Sequence, residues 1–579
     1  MKKPFLLFSL SVLFAGMPAY AADYNMESGT GHTVTVDDTF YFYDDGGPSG
    51  PITTGFSGLV TFVPTGDKAV RIDTEEFAVS ANKMFVYNGR EKDDTKILGS
   101  DKGYFVGTGP KDLVSEAEDG SMTIFFGSSK GAGATAQNLK GWKIKVSLAD
   151  KPKKQDEPMT GTYRVGPSSE ARFRNLTELQ TALAAGIGAP VTIELEDNVY
   201  AENLLLKDIA GLSATNTLTI TSVTGKPDAC VINGTITPVD KTGTVCLDGT
   251  PYVTLTNITI AANEGNGSQT PYAALHLRNG SDNVTVDHCV ITAPLASAND
   301  NRTYLLLGVD ADNLTVKSNR FEGGYIGLYT GTDPESDVAT VTGGLSVTDN
   351  AFGSIAYRSA QIIGCNAFDF SANTITPGIA GKKSANHLEV RRPSGAFTIL
   401  RNKLIAEQAT DCTGIYLRDG GGSADAAHPA LIANNVIAMP KAANQYTWGM
   451  CVDVTMTNLV VAHNTINIKS TATNVYGIAL NGNAAAKDVA AKIVNNIITL
   501  PGKGAALRPW NASHYANVNF AGNVYFAADG LVDCDKNTIE AYRTATGDQT
   551  SVWLSPEYMS DSDLRLKSSD RSMYMSLLP

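Results

Sequence analysis

A short phrase that recurs through the second half of the chain constrains the fold more than any other feature. The phrase reads apolar-x-apolar-x-x-Asn-x-apolar, for example LTVKSNRF at Leu314–Phe321 and LVVAHNTI at Leu459–Ile466. Successive asparagines of the phrase are separated by 23 to 33 residues, a period typical of solenoids. The asparagines are Asn319, Asn350, Asn373, Asn402, Asn435, Asn464, Asn496 and Asn523.

The spacing inside the phrase predicts the local structure of each repeat. Two apolar residues separated by one polar residue point to the same face of a strand. Asn tolerates a left-handed backbone conformation, so we expect the chain to turn sharply at each Asn and to begin a second short strand. A third strand, often led by glycine, precedes most phrases, as in Gly414–Leu417 and Gly477–Leu480. Each period therefore holds three short strands.

One such period cannot bury its apolar face alone, whereas stacked neighbours form a continuous core. The stacked asparagines are then expected at one corner, where their side-chain amides hydrogen-bond along the axis. This set of features resembles the right-handed parallel β-helix of the pectate-lyase-like group, which has such a ladder. A large β-sandwich is the alternative, but it predicts hairpin turns and no fixed period.

The start of the solenoid is predicted near Phe173, so the solenoid is assigned to residues 173–579. Phe173–Gly186 carries leucines at helical spacing, which predicts a short amphipathic helix near 174–186 over the open end of the first coil. Val191–Leu206 then opens the coils and also resembles pectate-lyase-like proteins. At the other end, the absence of an obvious polar cap predicts that the natural chain continues beyond Pro579.

Residues 22–150 form a different unit, in which short strand-like runs alternate with Gly-, Asp- and Pro-rich turns. This spacing predicts an antiparallel β-sandwich, followed by a linker over residues 151–172. The predicted strands are Phe40–Tyr43, Leu59–Val63, Ala69–Ile72, Met84–Tyr87, Met122–Phe126 and Trp142–Val146.

The same unit resembles the CUB family over nearly its whole length. The resemblance implies a role in adhesion and recognition, including a protein ligand. It implies neither disulfides nor a calcium site, because the unit has no Cys and Ser80 stands where calcium-binding members carry an acidic residue. The segments that carry it are FYDDGGPSG (Phe42–Gly50), VTFVP (Val60–Pro64), MFVYNG (Met84–Gly89), ILGS (Ile97–Ser100), GSMTIFFGSS (Gly120–Ser129) and GWKIKVS (Gly141–Ser147).

The N-terminus predicts export. Met1–Ala21 combines two lysines, an apolar run and small residues at its end, as a secretory signal peptide does. No other segment has the length and apolarity of a transmembrane span. The mature protein is therefore expected to be secreted or held at the cell surface.

Charge and cysteine usage limit the possible partners. The net charge of -13 and the absence of a basic cluster exclude nucleic acid and anionic membranes as expected partners. All seven Cys lie from Cys230 onward, without a CxxC pair or a Cys/His cluster, so no zinc site is expected. No other cofactor is expected either; calcium is left open, although no motif supports it. We expect the cysteines to be small buried side chains, with a disulfide between coils as the alternative. Cys289 stands at the position that the ladder Asn takes in other repeats, so we expect it at the corner of its coil.

One strip of the predicted solenoid concentrates chemically active side chains. In the glycine-led strands, Leu388 and Val390 and their counterparts are expected to point inward, so their neighbours form outward columns about 4.8 Å apart between coils. The outward candidates are His387, Glu389, Arg391, Tyr416, Arg418, Asp453, Arg508 and Trp510.

Three interpretations of this strip remain open. In a polysaccharide lyase, Arg391 and Arg418 would neutralise a uronate, and Tyr416, His387 or an arginine would act as the base. In a glycoside hydrolase, Glu389 and Asp453 would act as acid and base from positions two coils apart, about 9–10 Å. Without catalysis, the strip is a glycan-binding surface or an ordinary charged strand face.

The catalytic signatures of pectate-lyase-like enzymes are missing from the sequence. The polygalacturonase patterns NTD, DD, GHG and RIK do not occur in register, and no aspartate array of a calcium-dependent lyase is evident. The leading hypothesis is noncatalytic recognition of a polysaccharide or a surface glycoconjugate. The alternative is a polysaccharide lyase or glycoside hydrolase. Trp510 and Tyr416 would stack on sugar rings, and His387 and Arg508 would contribute further contacts.

Overall fold

The computed structural model divides the chain into two compact units, within residues 1–154 and 155–579. The predicted signal peptide, Ser80, Trp510, Cys534 and the last residues lie outside the part of the chain that the structure describes. The described residues are 23–79, 82–94, 96–100, 103–127, 141–151, 157–234, 243–262, 272–295, 303–331, 343–376, 385–407, 412–419, 424–442, 446–453, 456–472, 474–480, 490–509, 518–529 and 538–567.

The first unit is a sandwich of two β-sheets, as the strand spacing predicts. All six predicted strands are present, and the two sheets enclose one core that contains Phe42, Ile72 and Trp142 from one sheet and Phe62 and Phe126 from the other. The five-stranded sheet contains Tyr24–Asn25, Phe40–Tyr43, Gly141–Ala149, Ala69–Ala78 and Leu113–Val114. The four-stranded sheet contains Gly29–Val36, Ser57–Pro64, Met122–Gly127 and Lys83–Asn88.

The second unit is a parallel β-solenoid, and its three strands per coil form three long parallel sheets, as predicted. The first sheet contains Met159–Val165, Ile187–Leu195, Leu218–Ser222, Val253–Thr256, Thr285–Asp287, Thr315–Lys317, Ser346–Thr348, Asp369–Ser371, Thr398–Leu400, Ala430–Ala433, Thr457–Ala462, Ala490–Val494 and Val518–Ala521. The second contains Val199–Tyr200, Val231–Ile232, Thr259–Ala261, Val290–Leu295, Arg320–Gly324, Ala351–Gly353, Thr374–Thr376, Lys403–Ile405, Val436–Ala442, Thr465–Ser470, Ile497–Leu500, Val524–Ala527 and Val552–Trp553. The third contains Leu204–Lys207, Val245–Asp248, Tyr272–Arg278, Thr303–Val309, Ile326–Gly331, Arg358–Ile363, Ala385–Arg391, Cys412–Arg418, Thr447–Asp453, Val475–Leu480 and Ala505–Pro509.

The asparagine ladder lies at the corner between the first and second sheets, and the prediction of stacked amides is confirmed. Asn402 is representative: its Nδ2 donates to the carbonyl of Phe370 at 2.8 Å and to Oδ1 of Asn435 at 2.9 Å. Its own Oδ1 accepts from the backbone N–H of Asn373 at 3.0 Å and from Nδ2 of Asn373 at 3.1 Å. Each side chain therefore satisfies two buried backbone groups of the preceding coil and bonds the side-chain amides of both neighbouring asparagines.

Two different residues terminate the ladder. Before its first Asn, the backbone N–H of Cys289 donates to Oδ1 of Asn319 at 2.8 Å, so Cys289 does occupy the ladder slot. After its last Asn, the backbone N–H of Asn523 donates to Oγ of Ser551 at 2.9 Å. All six described cysteines are buried, and none of these six forms a disulfide.

The prediction that the ladder Asn itself takes the left-handed conformation is wrong. The residue before it has positive φ instead, as at Ala372 with φ 57° and Arg401 with φ 55°. The physical reason is that the Asn side chain must point into the corner to reach its partners, so the exposed preceding residue makes the turn. Residues without any left-handed preference therefore adopt φ near 55° in several coils.

The N-terminal end of the solenoid is covered by an α-helix, Leu176–Leu183. Asn175 caps it by accepting from the N–H of Glu178 at 2.8 Å, and Leu176, Leu179 and Leu183 are buried against the first coil. The first strand of the solenoid, Met159–Val165, falls within the segment that the sequence analysis assigned to the linker 151–172. That first strand lacks the apolar alternation of later coils, so its sequence did not predict a solenoid strand.

A second α-helix, Ile539–Thr546, follows the last coils, at the end where the sequence analysis found no cap. Its buried Tyr542 packs edge-on against Tyr525 at 5.3 Å and donates to Oδ2 of Asp548 at 3.2 Å. The buried ring of Tyr542 and its hydrogen bond to Asp548 hold this helix in place. The helix therefore lacks the leucine periodicity by which the first helix was predicted.

The segment after this helix runs back along the outer face of the second sheet. The hydroxyl oxygen of Tyr558 lies 3.3 Å from the hydroxyl oxygen of Thr499. The carbonyl of Asp561 accepts from Nδ2 of Asn467 at 3.2 Å. Leu564 packs against Ile405 and Ala438. These contacts reach four successive coils. Within the segment, an isolated antiparallel bridge joins Tyr558 to Leu566.

The ladder predicts a stability cost for any single amide removed. Asn402→Ala would leave the backbone N–H of Asn373 and the carbonyl of Phe370 buried without partners, so we expect a loss of about 2–4 kcal/mol of unfolding free energy. Guanidinium titration followed by circular dichroism measures it. Asn519→Ala, at an exposed strand position, should change stability by less than about 0.5 kcal/mol. Equal midpoints for the two variants would refute a structural role of the ladder.

Candidate functional site

The candidate residues lie on the third sheet, where the register places them in two adjacent outward columns. Glu389, Tyr416, Cys451, Ala479 and Arg508 are successive partners in one column. Arg391, Arg418 and Asp453 form the next. The inward pairs, Leu388 with Val390 and their counterparts in later coils, belong to the solenoid core, as predicted.

Glu389 is a buried structural anion, with 1% of its surface exposed. Its Oε2 lies 2.9 Å from Nη2 of Arg358 and accepts from Nδ2 of Asn386 at 2.6 Å. Gln361 donates to Oε1 at 3.4 Å. A carboxylate with these partners is compensated and held away from solvent. Glu389 and Asp453 are separated by two coils, as predicted, but they stand in different columns.

Arg358, which sequence reasoning missed, connects Glu389 to a stack of aromatic rings. Its guanidinium lies 4.1 Å from the ring centroid of Tyr357, and Nη2 donates to the hydroxyl of Tyr357 at 2.9 Å. The ring of Tyr357 stacks on Tyr325 at 4.8 Å. This stack and the Glu389 ion pair stabilise the same outer face of the sheet.

Asp419 is the centre of the exposed part of the face, and sequence reasoning missed it because it lies one residue past the strand. It accepts from Nε of Arg391 at 2.6 Å and lies 3.2 Å from Nε of Arg418. Burial acts to raise the pKa of Asp419, but the hydrogen bond from Arg391 and the charge of Arg418 lower it overall. The two guanidinium groups therefore share one carboxylate, which offsets one of their two charges.

Asp453 and Tyr416 adjoin this ion pair network. The Tyr416 hydroxyl donates to Oδ2 of Asp453 at 3.4 Å, and the guanidinium of Arg418 lies 5.5 Å from the Tyr416 ring. Burial raises the pKa of Asp453, and it also raises the pKa of the Tyr416 hydroxyl. Both groups therefore favour their protonated forms more than they would in water.

Aromatic side chains continue the outer face beyond Tyr416. Trp448 packs edge-on against Tyr416 at 6.4 Å, and the guanidinium of Arg508 lies 4.6 Å from the ring of Tyr476 while Nη1 contacts its hydroxyl. Trp448 and Tyr476 each precede the leading glycine of their strand, a Trp-Gly and Tyr-Gly signal that the sequence analysis did not use. Trp510 lies outside the described residues.

His387 does not share this outer face. It is 4% exposed, and its Nε2 has no hydrogen-bond partner among the described residues. On the next strand, the residue in register with His387 is Gly414. A Cβ atom added to Gly414 would contact Ile437 and Met439 of the core, so this register position faces inward. The strict alternation used for the prediction fails because Asn386 and Glu389 both point outward, which leaves His387 and Leu388 on the inner side.

Within the described residues, no group of three or more His, Cys, Asp or Glu side chains is placed to hold a metal ion. The same part of the chain contains no helix that is long and apolar enough to cross a membrane.

No protein-family profile and no curated protein match this sequence. Among solved structures, the chain is similar to the Agl-KA catalytic domain, with 10% identity and a TM-score of 0.30 over 83% of this chain and 87% of that one. It is also similar to PfbA, a surface adhesin of Streptococcus pneumoniae, with 11% identity and a TM-score of 0.33 over 57% and 88% of the two chains. The catalytic domain of a GH87 α-1,3-glucanase gives 12% identity and a TM-score of 0.27 over 81% and 91%. No functional conclusion rests on similarities this low.

The buried ion pair predicts that Glu389 serves stability. Glu389→Ala would leave the guanidinium of Arg358, which is 14% exposed, without its counter-ion, so we expect a loss of about 3–5 kcal/mol. Denaturant titration measures the change. Glu322→Ala, which breaks an exposed ion pair with Arg320, should cost less than about 1 kcal/mol. A Glu389→Ala variant as stable as the wild type would contradict the assignment.

Burial of His387 predicts a pH-dependent stability. Burial lowers the pKa of His387 from 6.5 to about 4, so the unfolded chain binds the proton more readily than the folded chain. The free energy of unfolding should fall by up to about 3 kcal/mol as the pH decreases from about 6.5 to 4. Melting temperatures of the wild type and of His387→Leu across this range test it. The two profiles should diverge below pH 6.5, and parallel profiles would contradict the prediction.

Proposed function

We propose that the outer face of the third sheet binds a neutral polysaccharide without cleaving it. The observation that carries the proposal is the bridge that Asp419 makes between Arg391 and Arg418 on adjacent strands. Because the carboxylate holds both guanidinium groups and offsets one of their two positive charges, they offer oriented N–H donors with a reduced net charge. Hydroxyl groups of a sugar are matched acceptors for such donors.

Aromatic rings supply the second requirement of a sugar-binding surface. Tyr416 and Trp448 are half-buried and touch edge-on, next to the paired guanidinium groups. A ring that keeps one side accessible can pack against the apolar C–H face of a pyranose, while polar groups at its border bind the hydroxyls. The columns continue from coil to coil, so the surface is elongated and fits a polymer better than a small molecule.

A lyase acting on an uronate polymer is disfavoured by the same ion pairs. Such an enzyme needs cations that are available to the substrate carboxylate, but Arg391 and Arg418 already share the carboxylate of Asp419. It also needs a base, and Tyr416 keeps its proton because burial raises its pKa.

Hydrolysis is the second candidate, and one observation favours it: the environment raises the pKa of Asp453 and lowers that of Asp419. Two carboxyl groups separated in this way are the pattern of a general acid and a general base. Asp453 would donate its proton to the glycosidic oxygen, and Asp419 would take one from the water that attacks the anomeric carbon. The guanidinium groups that lower the pKa of Asp419 also weaken it as a base, so binding is the leading proposal.

The sandwich and the localisation belong to the same proposal. We infer that the sandwich is CUB-like and that the mature chain is exported, so that the solenoid meets its glycan outside the cell or at its surface. The residues quoted for the resemblance support the first inference. The charged and apolar pattern of the first 21 residues supports the second.

A panel of neutral polysaccharides in affinity electrophoresis, with parallel assays of reducing ends and unsaturated uronates, tests the proposal. We expect retention on at least one neutral glycan without product. Trp448→Ala and Arg418→Ala should each weaken retention about tenfold or more, as the loss of a central contact does. Arg320→Ala, at a distant surface ion pair, is the matched control.

The outcomes separate the candidates. Product that disappears in Asp453→Asn would establish hydrolysis and overturn the noncatalytic proposal. Unsaturated uronate from an acidic polymer would establish a lyase. Retention that is unchanged in both Trp448→Ala and Arg418→Ala would show that the third sheet is not the binding surface.

A further inference from the structure

The outer face of the four-stranded sheet in the first unit carries almost no charge. In three of its strands, the residues that alternate with the core side chains point outward, and among them only Lys83 is charged. These residues are Ser57, Leu59, Thr61, Val63, Thr123, Phe125, Lys83, Phe85 and Tyr87. The register brings Leu59, Phe125 and Phe85 side by side across the three strands. Thr61, Thr123 and Tyr87 are buried, so the accessible part of the face is formed mainly by Lys83 and the half-buried Leu59, Phe85 and Phe125. The accessible face of a sheet is normally polar, so this apolar composition indicates an interaction surface.

Four aromatic rings form a continuous cluster on this face. The ring of Phe85 lies 5.9 Å from Phe125, 6.0 Å from Tyr104 and 6.3 Å from Tyr87. Phe85, Phe125 and Tyr104 are half-buried although they lie outside the sandwich core. The cluster contributes to no site described above and belongs to the other compact unit of the chain.

Two lysines lie over the cluster without a counter-ion. The Nζ atom of Lys83 is 3.8 Å from the ring centroid of Tyr104, and that of Lys92 is 3.8 Å from the centroid of Phe125. Neither ammonium group forms an ion pair with a described carboxylate. The nearby carboxylates are engaged elsewhere, since Asp93 pairs with Lys96 at 3.2 Å and Asp94 accepts from the hydroxyl of Tyr87 at 3.1 Å.

An ammonium group above an aromatic ring is partly desolvated and attracted by the ring, but it keeps its full charge. Two such groups on one apolar surface favour an anion, because they outweigh the carboxylate of Asp94, which accepts from Tyr87 on the same face. The chain as a whole has a net charge of -13, so this local positive character is opposite to that of the molecule.

We propose that this face is a second glycan site and that it binds an acidic polysaccharide. Lys83 and Lys92 would pair with carboxylate or sulfate groups of the polymer, and the apolar face of a sugar ring would pack on Phe85. Lys83–Asn88 is an edge strand, but antiparallel bridges from Phe105 to Met84 and from Ile97 to Tyr87 already occupy part of its edge. This leaves less of the edge for an acidic peptide that would add a strand. The site is independent of the neutral-glycan site proposed on the solenoid.

The test compares polygalacturonate with its methyl ester, which has the same backbone without the charge, using the full mature chain and isothermal titration calorimetry. Hyaluronan, alginate and chondroitin sulfate extend the acidic panel, and polyglutamate represents an acidic peptide. We expect binding to at least one acidic polysaccharide, weaker by about tenfold or more at 0.5 M salt, and little binding to the ester or to polyglutamate.

Variants locate the site. The double substitution K83Q/K92Q changes two exposed side chains and should abolish the salt-dependent binding, and Phe85→Ala should weaken it about tenfold. Lys68→Gln, at a lysine that pairs with Asp150, is the matched control. Arg418→Ala, on the solenoid, should leave this binding unchanged, which separates the two proposals. Equal binding of acid and ester, preference for polyglutamate, no binding to any acidic polymer, or full binding by K83Q/K92Q would each overturn the inference.

Discussion

The side-chain amide of one residue type, repeated once per coil, is the interaction on which the solenoid depends. Each ladder Asn satisfies a backbone N–H in the preceding coil and a carbonyl on the strand before the corner, both of them buried. A corner made of a tight turn leaves such groups without strand partners, and leaving them unpaired would cost more than most single contacts provide. The ladder therefore permits a sharp corner without interrupting the core. It also fixes the register between successive coils along its length, from Cys289 to Ser551.

This register is also what assembles the outer face of the third sheet. Because the coils are aligned, residues that are about 30 positions apart in sequence become neighbours: Arg391 and Arg418 face one Asp419, and Glu389 receives Arg358 from the coil before it. The face divides into a buried part, where charges are paired for stability, and a half-exposed part, where paired charges border aromatic rings. The division follows exposure rather than residue type, since both parts contain an arginine, a carboxylate and a tyrosine.

The repeating elements were predictable from sequence because the spacing of a periodic pattern shows which residues of successive coils are equivalent. The three strands per coil, the amide ladder, Cys289 in a ladder slot and the inward pairs of the third sheet all follow from residue spacing. The details that break the pattern were not predictable. Alternation placed His387 outward, but a local pair of inward residues buries it, and Asp419 and Arg358 lie where no periodic rule points. The second helix was missed because Tyr542 and Asp548 hold it by a polar network instead of an apolar stripe.

The segment that returns along the second sheet has a consequence for how the solenoid loses structure. A linear stack of coils can open progressively from either end, because each coil contacts only its neighbours. Tyr558, Asp561 and Leu564 join the segment after the second helix to coils well inside the stack, so the coils that it contacts cannot separate one at a time without first releasing this segment. The coils between Ile405 and the second helix are thereby coupled into one cooperative block. This block opens as a unit instead of fraying coil by coil, so proteases can act on it only after a single, larger opening event.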